Sequence, residues 1–316
     1  MTRTTLRPPR LLGIGGAHID RRGQVSGLYV PGASNPGTMR EDVGGVVFNA
    51  LRTAARRGVA CSLISLRGGD TGGERVAREI ASAGIADRSA VFLDRATASY
   101  TALIDRDGEL IAGFADMGLY DLFPRQLRRT ACREEIAAAD AVLCDANVPE
   151  AGLKLAAAAG DAPFYAIGIS PAKVVRLAGL LDRIDCLFVN RKEARALVTL
   201  TSGQTDADPG AALRAAGLRG AVITDGGGPL EILDATGSHK LQPPEAGPIA
   251  DVTGAGDALA GATVAALVRG LPLAQAAREG VAAAMLALRS PLAVPAFDAA
   301  AFEAALALVP PAAPVA

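Results

Sequence analysis

A doubly wound α/β fold, with a mainly parallel sheet covered by helices on both faces plus a small β lid, is predicted by three features of the 316-residue sequence. Its strand-like runs are continuously apolar rather than alternating, the pattern of strands buried on both faces. These runs alternate with helix-like stretches, as right-handed crossovers between parallel strands require. Two further stretches break the alternation and carry turn signals of their own.

In chain order, "LLGIGG" (11–16) is the first apolar run, and "FNALRTAARRG" (48–58) the first helical one. "ACSLISL" (60–66) and "GGERVAREIASAG" (72–84) repeat the unit. It resumes with "DAVLCDAN" (140–147), "EAGLKLAAAAG" (150–160), "FYAIGIS" (164–170), "CLFVN" (186–190), "RKEARALVTL" (191–200) and "GAVITDG" (220–226). Residues 21–43 are punctuated by Gly and Pro, and 97–117 alternate across Asp107-Gly108 as a β-hairpin would. Both read as segments inserted into one α/β domain spanning 1–316, either a lid or an ordinary edge hairpin. The Pro-rich tail "VPPAAPVA" is expected to lack regular structure.

Half of the residues are hydrophobic, enough for a large core. A net charge of −1, few aromatic residues and no Trp predict no nucleic-acid partner. No apolar run is long enough to span a bilayer, and "MTRTTLRPPR" lacks the apolar stretch of a signal peptide. Cys61, Cys132, Cys144 and Cys186 are widely spaced, as expected of reduced, buried thiols in a cytoplasmic protein.

Chemistry concentrates in "DVTGAGDALAG" (251–261). Gly254 and Gly256 allow positive φ and close approach to bare backbone. They precede a small-residue apolar helix whose first N–H groups lack internal partners. Gly254, Ala255 and Gly256 therefore predict an anion site, with phosphate the best-suited occupant. Asp257 would repel that anion, so it makes sense as the acceptor of a proton from an attacking hydroxyl, or else as a helix cap. The chain has no Gly-Lys dipeptide, no H-E-x-x-H, no G-x-S-x-G and no G-x-G-x-x-G, which excludes the commonest alternatives. Of the two histidines, His239 lies in the turn-like "TGSHK" and is expected to be solvated. His18 follows the first strand and is structural or substrate-adjacent.

"DVTGAGDALAGA" resembles the second signature of the ribokinase-like (PfkB) carbohydrate kinases, and the resemblance extends along nearly the whole chain. It implies an ATP-dependent phosphotransferase acting on a primary hydroxyl, with Mg2+ and a monovalent cation such as K+. "GIGGAHID" is similar to the family's first strand with its sugar-binding acid, here Asp20. "GGVVFN" sits where Gly44, Gly45 and Asn49 would contact substrate. "NRKEA" supplies Asn190 on the ATP side and Glu193 for magnesium through water. "VITDGGG" supplies Thr224 and Gly226, and Lys173 stands in place for ATP. Asp251 would belong to the monovalent-cation site, or be a turn acid; Glu193 would otherwise be a first-turn helix acid.

Within the family, "SNPG" (34–37), the hairpin at 97–117 and "DAN" (145–147) are most similar to pseudouridine kinases, which implies pseudouridine 5′-phosphate as product. Ribose, fructose or another ketose, and adenosine are the alternatives, with a non-catalytic binding protein further off. Val47 and Phe48 depart from the first signature, with an expected narrowing of the pocket and loss of a polar contact. A homodimer through the lid strands is expected from their exposed edges.

Overall fold

The computed structural model describes residues 7–203 and 208–315. The chain runs β1 (Arg10–Ile14), β2 (His18–Val25), β3 (Gly37–Gly44), α1 (Val46–Arg56), β4 (Ala60–Ile64), β5 (Leu66–Gly68) and α2 (Thr71–Ser82). Next come β6 (Ala86–Asp87), β7 (Ala90–Phe92), β8 (Ser99–Ile104), β9 (Leu110–Asp116), α3 (Phe123–Leu127), α4 (Thr130–Ala137) and β10 (Ala141–Asp145). They are followed by α5 (Glu150–Ala157), β11 (Phe164–Ile167), α6 (Pro171–Val174), β12 (Cys186–Asn190), α7 (Arg191–Ser202), α8 (Pro209–Ala215) and β13 (Ala221–Thr224). The remainder is β14 (Leu230–Asp234), β15 (Gly237–Leu241), α9 (Ala255–Val268), α10 (Leu273–Leu288), α11 (Ala299–Leu308) and β16 (Ala313–Pro314).

Among the described residues, the main sheet has the order β16-β15-β14-β13-β12-β11-β10-β1-β4-β6. It is parallel from β13 to β6, and β14, β15 and β16 extend it antiparallel. Successive residues of a buried strand face opposite sides. Leu11, Leu63 and Leu143 accordingly join one core with α1, α9 and α10, while Leu12, Ile64 and Val142 join another with Phe123, Leu153 and Leu197. That is the doubly wound arrangement the apolar runs predict. No helix among the described residues is long and apolar enough to cross a membrane.

A second sheet of four strands, ordered β3-β2-β8-β9, unites the two inserted segments. Its strands begin earlier than the Gly/Pro-rich stretch suggests, at His18. The hairpin turns at Asp107-Gly108, where Gly108 has a φ of 93°. Strand β2 pairs antiparallel with β3 but parallel with β8, joining segments far apart in sequence.

Two local expectations fail. The tail is not structureless: Ala313 and Pro314 pair with β15, Val315 N–H donates to the Ser238 carbonyl, and Val309 is buried. His239 is not a solvated loop residue but lies on β15, with Nε2 3.4 Å from Asp234 Oδ1 and 3.0 Å from Thr236 Oγ1. All four cysteines are free and buried.

Candidate active site

Helix α9 is apolar on all sides, and Ala258 to Ala266 are buried without interruption. It can lie that deep because Gly261 lets it approach the backbone of α1: a Cβ there would collide with the Ala50 carbonyl oxygen. The chain enters the helix through Gly254, at φ 81° and ψ −5°, which caps it without any side-chain hydrogen bond. A Cβ on Gly254 would strike the Ala293 carbonyl oxygen, so both backbone angle and space require glycine. Gly256 differs, because a Cβ on it would meet nothing within 4 Å. Its missing side chain leaves open surface at the positive end of the helix. Ala255 N–H donates to the Val252 carbonyl at 3.4 Å. The N–H groups of Gly256 and Asp257 have no carbonyl four residues back within the helix.

Asp257 is the third residue of α9, so the cap alternative fails: Gly254 holds that position. Its Oδ2 accepts a hydrogen bond from Asn49 Nδ2 of α1 at 2.9 Å. Burial pushes its pKa up to about 7, with the charges of Asp145 and Asp20 adding to the rise, while the Asn49 bond and His18 oppose it. A carboxyl so placed can exchange a proton near neutral pH. Asn49 is only 4% exposed, and its Oδ1 is a buried acceptor with no partner. Leaving such an atom unpaired costs on the order of 1–3 kcal/mol. A ligand hydroxyl donating to it would recover that cost.

The β1–β2 turn supplies the facing wall. Asp20 lies so close to Gly44 that a Cβ at 44 would overlap its Oδ2, and a Cβ at Gly45, whose φ is 124°, would strike the Gly16 carbonyl oxygen. His18 is buried, with Nε2 3.2 Å from Asp20 Oδ1 and Nδ1 3.1 Å from the Tyr120 hydroxyl. Burial raises the Tyr120 pKa and keeps its hydroxyl protonated. At the base lies Asp145, fully buried at the end of β10. Its Oδ2 accepts from Gly16 N–H and Val47 N–H, both at 3.2 Å, and its Oδ1 from Asn147 N–H at 2.9 Å. Burial pushes this carboxyl upward as well, against those three bonds. Lys173 Nζ donates to Asn147 Oδ1 at 2.6 Å, and burial lowers the lysine pKa.

Asn190, Glu193, Thr224 and Gly226 form a second group along the same edge. Asn190 and Thr224 are register partners at the ends of β12 and β13. With β11 between β10 and β12, this group stands roughly 10 Å along the sheet from Asp145. Asn190 caps α7 in a reciprocal pair: its side chain accepts from Glu193 N–H, and Glu193 Oε2 accepts from Asn190 N–H, both at 3.0 Å. Glu193, 4% exposed, thus has a structural task, and burial raises its pKa. Gly226 has a φ of 58°, and Thr224 Oγ1 lies 3.5 Å from the Val189 carbonyl.

The structure therefore brings Asp20, Gly44, Gly45, Asn49 and Asp257 together and sets Asn190, Glu193, Thr224 and Gly226 apart from them. Asp251 takes a partner that sequence reasoning missed: Arg22 of β2, with Nη1 2.6 Å from Asp251 Oδ2. Asp145 was also missed as the organiser of the turn, although an acid ending the all-apolar run "AVLCD" is a visible signal. Val47 and Phe48 do not narrow an open pocket. Both are fully buried, with Val47 packed over Gly13 and Gly15 behind β1. A groove of about 550 Å3 lined by Arg10, Arg88, Gln126 and Arg129 shares no residue with this cluster.

Residues 9–299 match the model of the "pfkB family carbohydrate kinase". A pseudouridine kinase from Escherichia coli is 28% identical over 279 residues, covering 87% of this chain and 89% of that protein. A solved carbohydrate kinase from Agrobacterium tumefaciens is 45% identical, with a TM-score of 0.86, and the match covers 96% of this chain and 99% of that one. An Arabidopsis thaliana ribokinase solved with ribose and ATP shares the fold, at 22% identity and a TM-score of 0.80 over 95% of this chain and 99% of that one.

Proposed function

Because the chain belongs to the pfkB carbohydrate kinase family, it is a sugar or nucleoside kinase that uses ATP, and we propose that its acceptor is pseudouridine. The product is then pseudouridine 5′-phosphate. The observation that carries the catalytic part is the contact of Asp257 with Asn49, beside a buried acceptor atom that awaits a hydroxyl. The choice of acceptor is supported by the Escherichia coli relative, matched over most of both lengths.

Phosphoryl transfer asks a protein for alignment and for charge stabilisation, not for covalent help. Asp20 and Asn49 hold ribosyl hydroxyls, with Gly44 and Gly45 leaving them room. The primary hydroxyl points at Asp257, which takes its proton as the new P–O bond forms. In the turn Gly254–Ala255–Gly256 the open amide of Gly256, with that of Asp257 next to it, faces the charge that develops on the transferred group. Asn190, Thr224 and Gly226 serve the nucleotide, whereas Lys173, expected on the ATP side, lies against Asn147 beside the acceptor cluster. Among the described residues no three acidic, His or Cys side chains converge as a direct metal cage. Glu193, with Asn190, would hold magnesium through water, and the ion would supply neutralisation of the phosphate charge. The four-stranded sheet acts as the lid that keeps water out.

A panel of pseudouridine, uridine, adenosine, ribose and fructose with Mg-ATP tests the acceptor. The 5′-phosphate of pseudouridine is expected, identified by mass and NMR, with a kcat/KM at least about tenfold above the others. Preference for a free sugar or adenosine would reassign the substrate, and no turnover on any of the five would overturn the acceptor reading.

The same sheet supports a homodimer. Register places Met39, Leu103 and Phe114 on the face opposite Asp20, with Met39 and Leu103 flanking Gly23. Met39 is 62% and Phe114 69% exposed. Burying large apolar side chains in a second copy is worth roughly 1.5–3 kcal/mol each. Phe114→Asp is expected to convert a dimer into a monomer by sedimentation velocity; a wild type that sediments as a monomer across a wide range of concentrations ends this proposal.

A further inference from the structure

We infer that Arg22 is the resident cation of Asp251, so that turnover needs no monovalent metal ion. Resemblance to the family implies such an ion at Asp251, and the donor set does not fit it. Oδ2 of Asp251 is taken by Arg22 Nη1 at 2.6 Å, and Oδ1 by Thr253 N–H at 2.8 Å. Arg22 Nη2 adds a second contact, to Thr253 Oγ1 at 3.0 Å. A planar guanidinium thus clamps the loop at two points, and the Asp251 side chain is only 17% exposed. A metal ion at this carboxylate would have to displace the guanidinium or lie against it, charge to like charge.

The placement has a consequence for the lid. Arg22 stands two residues after Asp20 on β2, so both project from the same face. The strand that carries the acceptor-binding acid also holds Thr253, the neighbour of Gly254. Seating the acceptor and setting the phosphate loop are then one mechanical event. Arg22 is a positioning residue: it acts through Asp251 and Thr253, not on the reacting atoms.

This inference rests on the kinase assignment for its kinetic arm only. The wild type should turn over within about twofold in potassium, sodium and tetramethylammonium salts at equal ionic strength. Potassium should also leave its melting temperature unchanged relative to tetramethylammonium, and thallium-205 NMR should show no bound ion. Arg22→Ala should lose about 30-fold in kcat/KM and regain at least about fivefold with millimolar guanidinium or potassium. Its melting temperature should then rise with potassium. Arg22→Lys, which keeps the charge but not the fork, covers the case of a misfolded alanine variant and should fall between the two. Roughly tenfold stimulation of the wild type by potassium, a bound thallium signal, or an Arg22→Ala enzyme with wild-type kcat/KM in tetramethylammonium would each overturn the assignment. Absent turnover with intact thermal and NMR results would sink the acceptor reading and leave this one standing.

Discussion

Asp257→Asn is expected to lower kcat by at least about a hundredfold, within the span usual for a positioned proton acceptor. ATP affinity by calorimetry should stay within about twofold, because the amide keeps the shape of the carboxylate and leaves the glycine loop untouched. The fold should not suffer. The substituted amide still offers a carbonyl oxygen to Asn49 Nδ2, and the change removes a charge that burial disfavours. The direction of that effect follows from linkage. A carboxyl raised to about 7 in the folded chain binds its proton more tightly there than when unfolded. Ionisation therefore costs stability progressively as pH rises from the unfolded value towards 7, and the full cost applies above it. At pH 8 the variant should melt at or above the wild-type temperature. The wild-type kcat/KM should fall about tenfold per pH unit below about 7 as Asp257 takes up its proton, and the residual rate of the variant should lack that limb. Stopped assays from about pH 5.5 to 8.5 decide it; near-normal turnover, or an unchanged pH limb in the variant, removes Asp257 from the mechanism.

How much of this was legible depends on whether a feature is written locally. The inner parallel strands β10, β11 and β12 were, since each is buried on both faces and carries an apolar run, whereas the short edge strand β6 carries none. So was the start of α9, where backbone angle and crowding both select glycine at 254. Glu193 was legible as a first-turn acid of α7, but its reciprocal bonds with Asn190, which make the pair a capping box, were not read from the sequence. Contacts made across long stretches of chain were not legible. Arg22 meets Asp251 across 229 positions, and Asp145 meets Gly16 across 129. No local pattern distinguishes Arg22 from Arg21, whose side chain pairs with Glu41 instead. Strand β16 escaped notice for a similar reason. A proline-containing pair has no strand propensity of its own and is ordered only by the free edge of β15. Val47 and Phe48 were misplaced because a helix signature gives positions but not the helix's rotation, and α1 turns both into the core.

Asp145→Asn should produce the opposite pattern from Asp257→Asn: a large loss of stability and an effect on acceptor binding, with the chemical step less affected. Three backbone N–H groups converge on this carboxylate, from Gly16 after β1, Val47 in the first turn of α1 and Asn147 after β10. A carboxylate can accept all three because both of its oxygens are acceptors. An amide cannot: whichever way it is turned, its NH2 faces at least one N–H donor at a fully buried position. Each buried donor left unpaired costs about 1–3 kcal/mol, and the donor-to-donor contact adds to it, so a loss of about 3 kcal/mol is expected from the amide. Alanine strands all three donors and opens a cavity, which raises the loss to about 5 kcal/mol. Urea unfolding followed by circular dichroism measures both. The turn that Asp145 ties down carries His18 and Asp20, and the helix it ties down carries Asn49. Acceptor KM should therefore rise at least about tenfold in the folded fraction of Asp145→Asn, while ATP affinity, built one region along the sheet, changes little. If Asp145→Asn instead kept wild-type stability and acceptor KM but lost kcat, the proton acceptor would be Asp145, and the roles given to the two aspartates would have to be exchanged.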